Sequence, residues 1–436
     1  MKKAAVIGAG LAGCEAAWFL AEQGIKVDLY EMKPGRKSPA HTLDTYAELV
    51  CSNSLRSDRI ENAVGLLKQE MRLLNSIVMA CADRTRVPAG GALAVDRTAF
   101  SQAVTSSLTD HQNIDIINKE VSTLPEADAV IIATGPLSSD AITSTIMDMT
   151  GSTRLFFYDA VAPILSGESI NYDRAFMGSR YERGSDYVNC PMDQQEYQAF
   201  YTELINAETA DIYGFEEKYV FEGCMPIESM AKRGAMTMAY GPLKPVGIID
   251  PRTGLRPFAV VQLRQDDAAK SMFNIVGFQT RLKFHEQKRV FRMIPGLEHA
   301  EFLRYGVMHK NTYIDSPRVL TPQLMLKAKP GVFFAGQITG VEGYVESAAA
   351  GIWAGIAALN YIKGYDIIKP DARTMIGALV KYCTNPSLIK LEPMNANFGI
   401  MEPLENMIKG KQARAEAYAG RALGIVSGFA NSFIGG

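Results

Sequence analysis

Gly8, Gly10 and Gly13 stand at the spacing G-x-G-x-x-G between the apolar run 4–7 and the helix-favouring segment "CEAAWFLAEQ". Each glycine has a separate physical task. The first permits a tight turn, the second lets a backbone approach a pyrophosphate, and the third lets helix pack closely on strand. Gly24 closes the predicted helix, and "KVDLYE" reads as a second strand that ends on Glu31, 23 positions after Gly8. A carboxylate there accepts hydrogen bonds from a ribose, and Glu in place of Arg argues against a 2′-phosphate. Gly8, Ala9, Gly10, Leu11, Ala12, Gly13 and Glu31 are therefore expected to hold an adenine dinucleotide, its pyrophosphate at the helix N-terminus.

Two later segments extend this reading. "DAVIIATGP" (128–136) is a buried strand running into Gly135. "GVFFAGQITGVEGYVESAAAGIWAGIAAL" (331–359) is a strand, a turn with Gly336, Gln337 and Gly343, and a small-residue helix that opens on Tyr344 and Val345. The pair resembles the ATG and terminal strand-turn-helix motifs of the large FAD-dependent family that includes glutathione reductase. Gln337 stands where that family carries an Asp, which argues against a disulfide reductase. The expected fold is α/β: an FAD-binding, glutathione-reductase-like Rossmann domain of two dinucleotide-binding halves with an inserted α+β domain. Its first part is placed at 1–155, the insertion at 156–300, and its second part with a C-terminal helical segment at 301–436. Within the insertion, 257–264 and 272–280 read as strands.

A chain of 436 residues exceeds what one core usually fills. No apolar run reaches the roughly 18–20 residues of a membrane span. The N-terminus shows no signal-peptide pattern, so a cytoplasmic protein without membrane contact is expected. A net charge of −2 gives no global attraction to nucleic acid, so an RNA partner needs a local basic patch. The six cysteines include no close pair, so neither a metal site nor a redox dithiol is expected.

Cys51 lies in "AELVCSNSLRS", where an apolar run gives way to polar residues, and reads as an accessible thiol. Cys224, in "FEGCMPIESMAKRG", has Lys232 and Arg233 nearby to lower its pKa. The competing reading for either is a small buried hydrophobe, and Cys14, Cys81, Cys190 and Cys383 keep that reading. His309, in "RYGVMHKNTYI", reads from pattern alone as a structural histidine. Lys411, Arg414, Tyr418 and Arg421 share one face of a C-terminal helix that is either a phosphate-binding or a solvated surface. Arg84, Arg86, Lys288, Arg289 and Arg292 are secondary basic candidates.

The blocks "AELVCSNSLRS", "VPAGGALAVDR", "FEGCMPIE", "RPFAVVQLRQDDA", "YGVMHKNTYIDSP", "FFAGQITGVEGYVESAAAG" and "PMNANFG" closely resemble the bacterial folate- and FAD-dependent tRNA (uracil-5-)-methyltransferases, which make 5-methyluridine at position 54 of the T-loop. The resemblance runs from the first strand to about residue 400. It implies that Cys224 adds to carbon 6 of the uracil, creating an enolate whose carbon 5 attacks a one-carbon unit, and that Cys51 removes the carbon 5 proton. It further implies 5,10-methylenetetrahydrofolate as carbon donor, FAD reduced by NADH or NADPH as the source of electrons, and His309 stacked on the pterin. The target base must leave its stack, with Lys411, Arg414 and Arg421 as anchors for the tRNA. The related flavoproteins that alkylate the wobble uridine share the "FFAGQ" turn but carry a further C-terminal domain for which this length leaves no room. An FAD-dependent NAD(P)H reductase without an RNA substrate and a non-enzymatic tRNA-binding protein remain as further alternatives; neither gives Cys224 a role.

Overall fold

The strand Lys3–Ile7 lies at the centre of a five-stranded parallel sheet, with Lys26–Glu31 and then Ile114–Asn118 on one side and Ala129–Ile132 and then Val332–Phe334 on the other. The computed structural model describes residues 2–38, 40–151, 155–160, 162–182, 184–210, 225–366 and 368–434. The central strands are covered on both faces, which is why Ala4–Ile7 and Ala129–Ile132 are unbroken apolar runs rather than alternating ones.

The helix Leu11–Glu22 follows the glycine turn, and the helix Tyr344–Lys363 packs across it. Small residues make this crossing possible. A Cβ placed on Gly351 would lie 2.2 Å from the Ala12 carbonyl oxygen, and one on Gly355 would lie 3.2 Å from the Phe19 ring. The close approach sets the N-termini of the two helices side by side at the C-terminal edge of the sheet, where ligands bind in open α/β sheets.

The segment 164–304 builds a six-stranded antiparallel sheet in the order Phe176–Gly178, Tyr187–Met192, Ala259–Gln265, Met272–Ile275, Ile164–Ser166, Phe302–Arg304. Its apolar core is separate from that of the parallel sheet. Along Ala259–Gln265 the side chains alternate, as a pleated strand requires. Ala259, Val261 and Leu263 pack with Tyr197, Phe200 and Leu204 from the helix Gln194–Asn206 and with Val290 and Phe291 from the helix Phe284–Phe291. Gln262 and Arg264 take the other face, and Arg264 reaches Ser52 and Asn53. The strand expected over 272–280 is shorter, Met272–Ile275, because the chain turns at Gly277 (φ +79°), where a Cβ would meet Pro242 at 2.7 Å.

The strand Leu155–Ala160 enters this second unit and pairs antiparallel with Met308–Tyr313, which leaves it. A smaller sheet joins Ser54–Ser57, Ala92–Val95 and Arg86–Val87. Among the described residues no helix is long and apolar enough to cross a membrane.

Glu70, fully buried on the helix Ala63–Leu73, accepts hydrogen bonds from the Met375 and Ile376 N–H groups at 2.7 and 2.9 Å, capping the helix Met375–Cys383. Burial pushes its carboxyl up to about 7 from an ordinary value near 4.5, although the two backbone donors pull the other way. Between those pH values the native state binds more protons than the unfolded chain, so this site's contribution to stability is greatest below about 4.5 and declines as pH rises through about 7. Urea unfolding at pH 4.5 and pH 8 is expected to show Glu70→Gln gaining on the unmodified protein by on the order of 2–3 kcal/mol across that interval. A difference that does not change with pH would exclude this account.

Candidate active site

An open cleft runs along the C-terminal ends of Lys3–Ile7, Lys26–Glu31 and Ala129–Ile132. Gly8 turns with φ +99°, and a Cβ there would strike the Ala133 carbonyl oxygen at 2.6 Å. A Cβ on Gly13 would lie 1.8 Å from the Gly8 oxygen, so Gly13 supports the turn from behind. Over Gly10 the space is open: a Cβ would meet nothing within 4 Å. Gly10 is also the N-cap of Leu11–Glu22, with no side-chain cap and no acidic residue in the first turn. The uncapped N–H groups of that turn suit a pyrophosphate.

Glu31 fixes one end of the cleft. Its Oε2 accepts from the Ala9 N–H at 2.8 Å and its Oε1 from the Lys33 N–H at 3.0 Å, tying the glycine turn to the end of the second strand. Each oxygen retains a lone pair for a ribose hydroxyl. At the other end, Gly336 (φ +83°), Gln337 and Tyr344 line the cleft, while Gly135 (φ +69°) opens its wall. Gln337 Nε2 donates to Glu342 Oε2 at 2.5 Å, which turns its amide oxygen to other partners. Gly343 (φ +110°) precedes the helix Tyr344–Lys363, and Val345 packs into the core behind it. The open backbone over Gly10, the uncapped helix and the carboxylate together fit FAD. Sequence reading passed over Lys33, His41, Glu48 and Ser347, which also line the cleft. Only Lys33, two residues after Glu31, carried a positional signal.

Cys51, half-buried, directly follows Val50, which lines the cleft together with Tyr344. The Tyr344 hydroxyl oxygen accepts from the Cys51 N–H at 2.6 Å and from the Ser52 N–H at 3.2 Å. Withdrawal from water pushes this phenol far above its ordinary value. Two buried arginines clasp the same segment. Arg97 donates to the Leu49 carbonyl and makes a bidentate pair with Asp266, at 3.1 and 2.9 Å. Arg264 donates to Asn53 Oδ1 at 3.0 Å and to Ser52 Oγ. Asn53, fully buried, spends its amide on the carbonyls of Val95 and Gln265 at 2.9 and 2.8 Å. Residues 49–53 are thus held between both units.

Cys224 lies outside the described residues. The segment that follows, from Met225, is fixed by Ile227 N–H on the Gln279 carbonyl (2.7 Å) and by buried Glu228, which accepts from Thr280 Oγ1 at 2.8 Å and Arg281 N–H at 2.9 Å. His309 occupies the strand Met308–Tyr313 opposite Asp159; its side chain lies outside the description. Cys14, Cys81, Cys190 and Cys383 are all buried, and burial pushes the Cys383 thiol up to about 12. On the helix Lys411–Ile434, Lys411 and Arg414 are exposed. Arg421 instead donates to the Pro403 and Glu402 carbonyls at 2.8 and 2.5 Å and stacks over Tyr418. Arg86 and Arg289 are paired with acidic neighbours, and Arg292 with the Ala300 carbonyl. Among the described residues no cluster of His, Cys, Asp and Glu is placed to hold a metal ion.

The family model of glucose inhibited division protein A matches residues 3–366. The methylenetetrahydrofolate–tRNA-(uracil-5-)-methyltransferase TrmFO of Acetivibrio thermocellus is 57% identical over 429 residues, covering 98% of each chain. This chain belongs to the TrmFO family. The family's protein from Listeria monocytogenes serotype 4b is 55% identical over 426 residues, and that from Ligilactobacillus salivarius is 56% identical over 427, again with 98% of each chain covered. The structure of Aquifex aeolicus GidA in its form II crystal superposes with a TM-score of 0.71 over 98% of this chain and 73% of that one, at 17% identity, a likeness of fold. Membership of the TrmFO family agrees with the resemblance carried by the sequence blocks and with the expected FAD-binding α/β fold.

Glu31→Ala removes the carboxylate that joins the turn to the second strand and faces the cleft. FAD affinity is expected to fall by about tenfold or more, the equivalent of about 1.4 kcal/mol. Flavin fluorescence titration of the apoprotein measures it; unchanged affinity would remove Glu31 from the cofactor site.

Proposed function

We propose that this protein methylates carbon 5 of uridine 54 in the tRNA T-loop, with 5,10-methylenetetrahydrofolate as carbon donor and FAD in the cleft between Glu31 and Tyr344. The carrying observation is near-complete coverage at 55–57% identity by relatives named methylenetetrahydrofolate–tRNA-(uracil-5-)-methyltransferase. The location of Cys51, fastened to Tyr344 at the end of the dinucleotide cleft, supports it.

Methylene carbon is at the formaldehyde level, so producing a methyl group requires two electrons; FAD, reduced by NADH or NADPH, supplies that chemistry when bound. The protein's own residues do the rest. Gly8, Ala9, Gly10, Leu11, Ala12 and Gly13 hold the pyrophosphate, Glu31 the ribose, and Gly135, Gly336, Gln337, Gly343, Tyr344 and Val345 shape the opposite end. The Cys224 thiolate adds to carbon 6 of the uracil, so that carbon 5 becomes nucleophilic. After the carbon–carbon bond has formed, Cys51 takes the carbon 5 proton, and expulsion of the Cys224 sulfur restores the double bond. Tyr344, Arg97 and Arg264 keep Cys51 in place for this transfer. His309 lies against the pterin, and the unit spanning about 156–300 brings Cys224 to a cofactor held by 1–155 and 301–436. Exposed Lys411 and Arg414 contribute phosphate contacts that position the tRNA, with Arg421 bracing their helix. The reaction takes place in the cytoplasm, where the substrate is.

Labelled methylenetetrahydrofolate, T-loop RNA and NADH or NADPH, supplied to the FAD-loaded protein, are expected to place label on uracil carbon 5. Cys224→Ala should abolish both labelling and any covalent RNA adduct, and Cys51→Ala should lower turnover by at least about 100-fold while an adduct still forms. Normal flavin reduction with no label on the uracil would refute the assignment.

A further inference from the structure

Cationic groups converge on Cys51 from three directions. Arg97 opens the helix Arg97–Thr109, Arg264 lies on the strand Ala259–Gln265 with Asp266 just after it, and Arg304 ends the edge strand Phe302–Arg304. All three guanidinium groups, and Tyr344 from the helix Tyr344–Lys363, are within electrostatic reach of Cys51. The carboxylate among them, Asp266, is engaged by Arg97 through two hydrogen bonds. Arg264 spends its donors on neutral oxygens of Ser52 and Asn53. The cluster is left with a surplus of two positive charges.

Arg304 is the member with no ion pair of its own among the described residues, since Asp266, though within its electrostatic reach, is bonded to Arg97. Its Nε and Nη2 are both withdrawn from water and meet no hydrogen-bond partner among the described residues. Register explains how it arrives there. Arg264 lies opposite Asn274, Asn274 opposite Ile164 and, past a shift of register after Phe302, Ile164 opposite Arg304, so that the row crosses four strands on the face turned away from the apolar core. Three strand spacings separate the two arginines, about 14 Å, a gap that two long side chains bracket. Desolvating a guanidinium without a partner is costly, and the cost is recovered when a negative charge forms beside it.

We propose that Arg304, backed by Arg97 and Arg264, holds Cys51 as a thiolate, so that Cys51 is a base at neutral pH. This rests on the assignment of Cys51 as the group that deprotonates carbon 5. Arg304 is then a positioning residue, acting through the Cys51 sulfur. Cys51 first loses its S–H proton to solvent. The thiolate then takes the carbon 5 proton, forming S–H as C–H breaks. The C–H electron pair becomes the carbon 5–carbon 6 double bond, and the carbon 6–sulfur bond breaks with its pair returning to Cys224. The new Cys51 proton is released to solvent.

The test is the pH dependence of Cys51 alkylation by iodoacetamide in the FAD-loaded protein, in a Cys224→Ser background and read by peptide mass spectrometry. It needs neither RNA nor folate, so it stands apart from the methylation assay. The alkylation midpoint is expected below the ordinary thiol value of about 8.5. Arg304→Met should raise it by about one unit, a tenfold loss of rate at pH 7, and Arg304→Lys, which keeps the charge, should bring the rate back to within about threefold. Arg304→Gln should give the same upward shift as Met and serves where Met fails to retain flavin. A midpoint unmoved in Met and Gln variants that retain flavin overturns the proposal. So does Lys behaving like Met. A raised KM for RNA with no change in alkylation would place Arg304 on the substrate and overturn it as well.

Discussion

The two halves of the cofactor site are joined where Gly351 lies against the backbone of Ala12, too close for any side chain. That contact crosses more than three hundred residues of sequence. It allows Leu11–Glu22 and Tyr344–Lys363 to approach at small residues, so that the uncapped N-terminus of one helix and Tyr344 at the start of the other border one cleft. Without it, Glu31 and the glycine turn would form an ordinary dinucleotide half-site with nothing at the reactive end. Close backbone packing here does what a covalent link does elsewhere, because an interior packed near crystal density has no room to relax around an added methyl.

The second dependence is electrostatic. Cys51 follows an apolar stretch on a segment without regular structure, and such a segment has little intrinsic reason to hold one conformation. It is fixed because its polar groups are consumed by partners from elsewhere in the chain: Leu49 by Arg97, the Cys51 and Ser52 amides by Tyr344, Asn53 by Val95, Gln265 and Arg264. Two of these partners, Arg264 and Gln265, come from the antiparallel unit, so packing between the two units and the posture of the thiol are a single structural fact.

This division also explains what the sequence made legible. Gly8, Gly10, Gly13 and Glu31 could be read because a tight turn, a close approach and a strand end each demand a particular residue at a particular spacing, and the parallel strands could be read because burial on both faces leaves unbroken apolar runs. A motif describes backbone shape, however, and not which side chains face the ligand: Gly13 and Val345 belong to the motifs, yet they pack behind the cleft. His41 and Glu48 sit in a connection without periodicity and left no trace in the pattern. Arg97, Arg264, Asp266 and Arg304 come from three distant stretches: strand register aligns Arg264 with Arg304, and Arg97, at the start of a helix, joins them through Asp266. The helical face carrying Lys411, Arg414 and Arg421 was read correctly as a helix, but its third cation is spent on carbonyls of its own chain.

The outermost parallel strand, Val332–Phe334, has a consequence in time. It pairs with Ala129–Ile132, made some two hundred residues earlier, whereas every strand of the antiparallel sheet lies between 164 and 304. On a growing chain the antiparallel unit is complete before the parallel sheet can close, because the long loop must be spanned before the pairing it delays is rewarded. Gly336 and Tyr344 emerge later still. The flavin site is therefore completed only after the insertion has been made, and cofactor capture follows the folding of that insertion, closing a sheet left open around it, with the helices Met375–Cys383 and Lys411–Ile434 still to come.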